Sequence, residues 1–178
     1  TENNKICVHL WLNYRTAAGR GGRKMKRVSI LLVALVVLTA CAAIKRMGIN
    51  AMVPTFKEFA NTTQKESDIE LARLAIPSNL SLLTGMLDIS PKNYELLLLA
   101  CEGFGGYALS FIEDRDKEWA KKLYWRGKEY GLRALMTNRK FRKVLKRGVK
   151  FPEAVKLLGK DYVPAMFFTA NFWASWLN

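Results

Sequence analysis

Side chains able to carry out polar catalysis are scarce in this chain of 178 residues. It has one histidine, His9, and three cysteines, Cys7, Cys41 and Cys101. Common zinc sites, Ser–His pairs and Cys–His pairs all need an imidazole, and beyond residue 9 there is none. No Gly-x-Gly-x-x-Gly or Walker-type loop occurs. The nearest approach, Gly103-Phe104-Gly105-Gly106, lies inside a helical pattern rather than after a strand, so no phosphate cradle is expected. No cofactor and no metal are expected either. A secreted hydrolase or peptidoglycan enzyme is the least supported alternative, because no acid–base or nucleophile–base pair can be assembled from these residues.

Two residues do suggest chemistry of other kinds. Cys41 follows Leu38-Thr39-Ala40 at the end of an apolar run, Val28 to Leu38, that is preceded by Lys26-Arg27 and by Met25 as the plausible initiator. A basic segment followed by a short apolar one is a secretory signal, and 11 residues at 1.5 Å each span only about half of a bilayer core. The Leu-Thr-Ala-Cys end resembles the lipobox of bacterial lipoproteins, in which the cysteine becomes lipid-modified at the new N-terminus; an ordinary signal peptide with a chance cysteine is the alternative. Residues 1–24 read as an extension upstream of the true start, 25–40 as the signal peptide and 41–65 as an anchor with a short helix around Met47, Met52, Val53, Phe56 and Phe59. Acylation of Cys41 would tether the protein to the membrane without spanning it.

Glu102 is the second. It stands in a helix that is otherwise apolar for a turn on either side, where an unpaired buried carboxylate would cost several kcal/mol. It should therefore face water, a partner or a cavity. With Tyr94, Tyr107, Phe111, Asn171 and Trp173 it forms the candidate lining of a ligand or partner groove. Core packing is the alternative for each, and the stronger one for Tyr107 and Phe111.

These residues need helices to position them. From Ile89 to Met136 the pattern is two antiparallel helices, with Ser90 as N-cap and Pro91 at the first helical position. Phe104, Tyr107, Ala108 and Phe111 fall at i, i+3, i+4 and i+7, and after the break Glu113-Asp114-Arg115-Asp116 come Ala120, Tyr124 and Gly127 at i, i+4 and i+7. Bulky and small residues alternate, which lets two backbones approach at Ala108, Ala120 and Gly127. The same spacing is used by tetratricopeptide repeats; any long helical hairpin with a mixed-size seam is the alternative. Gly103, Gly105 and Gly106 each cost a helix about 1 kcal/mol relative to alanine. Helix crossing or a backbone-lined channel would offset it. The helix from Glu66 to Leu87 contains Pro77 and should kink or split at Ile76.

Half of the residues are hydrophobic, helix formers dominate after residue 64, and no period-two run is long enough for a strand. An all-α fold follows. The formal charge is +14; seven basic residues against Glu2 precede Cys41, leaving +8 for the rest. Arg139, Arg142, Lys143, Lys146, Arg147 and Lys150 fall at helical spacing as one basic face. A solvated face is the plain account, an acidic partner or anionic membrane the alternative. Export past a signal peptide argues against nucleic acid.

The run Glu70-Leu-Ala-Arg-Leu-Ala-Ile-Pro-Ser-Asn-Leu-Ser-Leu-Leu, Ser90-Pro-Lys-Asn, Tyr94 through Asp114, and Leu123-Tyr-x-Arg-Gly-x-x-Tyr-Gly-Leu-Arg-Ala-Leu resemble the TatT family, tetratricopeptide-repeat lipoproteins associated with TRAP transporters. Asp161 through Ala174 is similar to the family's next helix. The resemblance covers residues 66–178. It implies stacked antiparallel helical hairpins in a TPR-like α-solenoid, no catalysis, and a periplasmic protein anchored, by the enterobacterial sorting rule at Ala42, to the outer membrane. It further implies a homotrimer that engages the solute-binding component of a tripartite ATP-independent importer and handles a hydrophobic small ligand. A structural lipoprotein with no transport role is the alternative. The family continues with further helices, so the chain reads as C-terminally truncated at Asn178, or as relying on trimer partners to cover Phe167, Phe168, Phe172, Trp173 and Trp176.

Overall fold

Four short polar side chains decide where the helices begin. Asp68 accepts the backbone N–H groups of Glu70 and Leu71, Asn93 that of Leu96, Asp116 that of Trp119, and Asn138 those of Lys140 and Phe141, all at 2.9–3.1 Å. Each satisfies donors that a helix start would otherwise leave unpaired. The computed structural model describes residues 43–63 and 65–178. Residues 43–63 are helical (α1). Then come α2 (Ile69–Ile89), α3 (Tyr94–Tyr107) with a π-helical turn (Ala108–Ile112), α4 (Lys117–Leu135), α5 (Arg139–Leu145), α6 (Phe151–Val155), a 3-10 turn (Lys160–Tyr162) and α7 (Val163–Leu177). The described residues contain no strand, and the fold is all-α.

Contacts divide the chain into Thr1–Lys45 and Arg46–Asn178. Of the first unit only residues 43–45 are described, and they are helical. The proposed upstream extension, the signal peptide, His9 and Cys41 lie outside the described residues.

Within the second unit the side chains give the helix directions. Gly131, late in α4, lies over Cys101 of α3, whereas Tyr124, earlier in α4, donates to Glu113 just beyond the π turn at 2.7 Å. The central hairpin is therefore antiparallel. α7 runs against α4 in the same sense: Thr169 meets Gly131, Phe172 meets Gly127, and Trp176 lies 4.8 Å from Trp125. α1 is antiparallel to α2, with Asn50 accepting from Ser90 at 2.9 Å and Thr63 accepting from Asn79 at 3.3 Å. Val53 and Phe56 of α1 join the core formed by Leu83, Met86, Leu87, Leu96, Leu97, Phe104, Ala108 and Tyr124.

Three local expectations are corrected. α3 starts at Asn93, not at Ser90, because Ser90 closes α2 through Met86 and its hydroxyl is held by Asn50. Of the kink or split expected at Ile76, the split does not occur: α2 runs past Pro77, which is exposed, while Ala72, Leu80 and Leu83 are buried on the other face. The basic segment is not one continuous helix. α5 ends at Leu145 and Gly148 turns the backbone at φ +82°, so Lys150 lies beyond the turn as the N-cap of α6; Arg139 and Lys143 are exposed on α5, and Lys146 and Arg147 at its C-terminal end. Arg142, partly buried, donates to the carbonyl of Met136 at 2.9 Å, and Lys150 is set apart because helical spacing does not continue through a left-handed glycine.

By length and apolarity Tyr94–Ile112 could cross a bilayer, yet 56% of that stretch is buried inside the protein, as befits a core helix.

Candidate functional site

Between α1, α2 and α3 lies a cavity of about 350 Å³, within the range of small-molecule pockets. α2 provides an apolar wall of Ala72, Ile76, Leu80 and Leu83, and α1 adds Phe56 and Ala60. The third wall is the face of α3 that carries Leu99, Glu102, Gly103, Gly106 and Tyr107, closed by Phe111 of the π turn.

The two glycines on this wall act differently. A Cβ on Gly103 would come within 2.6 Å of Leu80 Cδ2, so its absence lets α2 approach. A Cβ on Gly106 would meet nothing within 4 Å, and that open space is part of the cavity. Gly105 faces the opposite side of α3, where the Phe172 ring occupies the place of its missing side chain. Close helix contact and open space thus occur at neighbouring glycines of one helix. The π turn matters too: it changes the register after Tyr107 and sets the Tyr107 and Phe111 rings 5.5 Å apart.

Glu102 makes no hydrogen bond or ion pair among the described residues. The nearby ammonium of Lys57 is engaged by Glu95 at 3.0 Å. Partial burial raises the Glu102 carboxyl above its ordinary value; Lys57 pulls it down and Glu95 pushes it further up. An acid with a raised folded-state pKa destabilises the fold as pH climbs from the ordinary carboxylate range through the raised value, since the unfolded chain loses its proton first. Glu102→Gln should therefore raise the melting temperature relative to wild type at pH 7, and the difference should vanish below about pH 4.5. Equal melting at both pH values would contradict this environment. Cys101, next in line, is fully buried; burial first and Glu102 second push its thiol up to about 12, so it is a packing group and not a nucleophile.

Of the six residues expected to line a groove, the structure brings Glu102, Tyr107 and Phe111 together at the cavity. The other three lie elsewhere. The Tyr94 hydroxyl donates to the carbonyl of Asp161 at 2.5 Å, its phenol pushed up to about 12 chiefly by burial, and its ring packs 4.9 Å from Tyr162. Asn171 is exposed and bonds back to Phe167 at 2.8 Å within α7. Trp173 belongs to an aromatic cage that sequence reasoning missed. Lys128, only 4% exposed, places its ammonium 3.1 Å from the ring centre of Trp125 and 5.2 Å from those of Trp173 and Trp176. The signal was present as two i, i+3 pairs, Trp125 with Lys128 and Trp173 with Trp176.

The seam residues lie on the α3–α4 side. Phe104 stacks 5.6 Å from Tyr130 beneath the Arg126 guanidinium, Ala108 and Ala120 are buried, and Gly127 lies against Cys101 O and Gly105 N. The glycines Gly105 and Gly131, which were not singled out as seam residues, take the closest approaches from α7. Among the described residues no group of three or more His, Cys, Asp or Glu is placed to hold a metal.

A family model described as TRAP transporter T-component matches residues 65–178, a span that contains α2 to α7 and the cavity wall of α3. No curated protein and no solved structure matches the chain.

Proposed function

The chain belongs to the TRAP transporter T-component family, and from that membership we propose that it is a membrane-anchored periplasmic lipoprotein that binds the solute-binding component of a tripartite ATP-independent importer and assists uptake. Membership implies a role with a TRAP transporter; the family match over residues 65–178 is the observation that carries the reading. The anchor rests on the basic-apolar leader and the lipobox-like Leu38-Thr39-Ala40-Cys41. Acylation there would hold the protein on the periplasmic side, at the outer membrane by the residue after Cys41. α3, α4 and α7 correspond to the first, second and next first helix of a TPR-like stack, although α5 and α6 intervene where a standard repeat has a short turn. Assembly as a homotrimer is part of the same proposal. The cavity takes a small apolar ligand.

Capture of the tagged chain from host cells fed radioactive palmitate tests partner and anchor together. The expected result is a labelled protein that brings down a TRAP solute-binding subunit, with the label lost in Cys41→Ala. A chain retained on the resin while the subunit passes through would return it to a scaffolding role. Label that persists in Cys41→Ala would remove the lipobox.

A further inference from the structure

The charged side chains on the cavity wall are of one sign. The chain carries +14 overall, yet no lysine or arginine stands on the cavity wall, and its two charged residues, Glu102 and Glu66, are both carboxylates. Glu66 already accepts the N–H of Asp68 at 3.1 Å. Glu102 has no partner among the described residues, and the nearest ammonium, Lys57, is held by Glu95. The rest of the wall is mostly apolar, with Phe56, Leu80 and Leu83 among its residues and Thr63, Asn79 and Ser110 as its uncharged polar groups beside the Tyr107 phenol. A carboxylate in such surroundings interacts strongly with an opposite charge and repels a like one.

We propose that this cavity selects an amphiphile with a cationic head, a protonated amine seated against the Glu102 carboxylate, its apolar body lying between α1 and α2. This deepens the reading of the cavity as a ligand site and names the ligand's charge. An ammonium supplies the hydrogen-bond donors that the carboxylate lacks, while the hydrocarbon portion meets walls with few polar groups to desolvate. An organic anion would meet an unpaired carboxylate, with the nearby Lys57 ammonium already held by Glu95. Size is set by Gly106: a Cβ there would meet nothing within 4 Å, so a larger side chain would start in the open space of the cavity.

Three probes of equal chain length separate charge from apolar binding. Octylamine, 1-octanol and octanoate are titrated calorimetrically at pH 7 into the full chain, into Glu102→Gln and into Gly106→Leu, each variant first checked for unaltered helicity. Octylammonium should bind most tightly and octanoate least. Glu102→Gln should weaken octylammonium by about tenfold or more, the scale of one charge-assisted hydrogen bond, and leave octanol unchanged. Gly106→Leu should abolish binding of both. Octanoate binding as tightly as octylammonium, or Glu102→Gln retaining full amine affinity while octanol still binds, would overturn the charge preference alone. If neither octanol nor octylamine binds wild type, or if Gly106→Leu binds them undiminished, the cavity is not a ligand site and the proposal falls with it. Capture of the solute-binding subunit is independent of every one of these outcomes.

Discussion

Gly105→Ala should destabilise the protein by about 2–3 kcal/mol, and Phe172→Ala by about 3–5 kcal/mol, but the two together should cost less than their sum by at least about 1 kcal/mol. The reason is geometric. Phe172 is 6% exposed and its ring occupies the place where a side chain on Gly105 would begin. The same ring lies 3.3 Å from where a Cβ on Gly127 would sit and stacks on Tyr124 at 6.0 Å and Phe168 at 5.9 Å. One phenyl group therefore joins α7 to both helices of the hairpin. A methyl group on Gly105 has no room while the ring is present, and the backbone of α3 cannot retreat because α4 lies against it at Gly127. Removing the ring leaves a cavity that the new methyl partly fills. Urea denaturation of wild type, both single variants and the double variant measures the coupling. Strict additivity would place the ring away from Gly105.

Lys128→Glu should cost about 3–5 kcal/mol and release α7 from the body, with the tryptophan emission maximum moving to longer wavelength. The Lys128 ammonium is buried among Trp125, Trp173 and Trp176 and also touches Glu129 Oε1 at 3.2 Å. That ion pair is of little consequence alone, since the Glu129 side chain is 48% exposed and water screens it. The ring faces carry the negative side of the aromatic quadrupole, and their attraction for a desolvated ammonium reaches about 2 kcal/mol. A carboxylate in the same place would meet three negative faces and Glu129 as a fourth. Lys128→Met keeps most of the volume and removes only the charge, so it should cost clearly less. If Lys128→Glu melts as wild type with unshifted emission, the cage does not hold α7.

Both sites explain how the fold related to the chain that encodes it. The helical class and the central hairpin around Glu113-Asp114-Arg115-Asp116 were readable from residue types and spacing, because helix periodicity and turn chemistry are local properties; the family was reached through the resemblance of residues 66–178. Glu102 was also readable, as a carboxylate in an apolar helix that needs an outlet. The start of α3 was not: Ser90 and Asn93 are both good caps, and the choice fell to Asn50, forty residues earlier in the chain. Pro77 looked like a helix breaker because its exposure is invisible in a one-dimensional pattern. The basic stretch from Arg139 to Lys150 read as one helix, whereas the left-handed turn at Gly148 sets Lys150 apart and the Met136 carbonyl takes up the Arg142 side chain.

Periodicity along the chain was enough to establish that the fold is helical and where its long helices lie, though not their exact bounds. Which face of α3 meets which neighbour was left to packing. Gly103, Gly105 and Gly106 are chemically identical, yet one admits Leu80, one admits Phe172 and one leaves open space beside Glu102. That difference arises from side chains about 20 and 70 residues away in sequence, which only three-dimensional packing brings to α3, and it is what makes one side of the helix a core and the other a cavity.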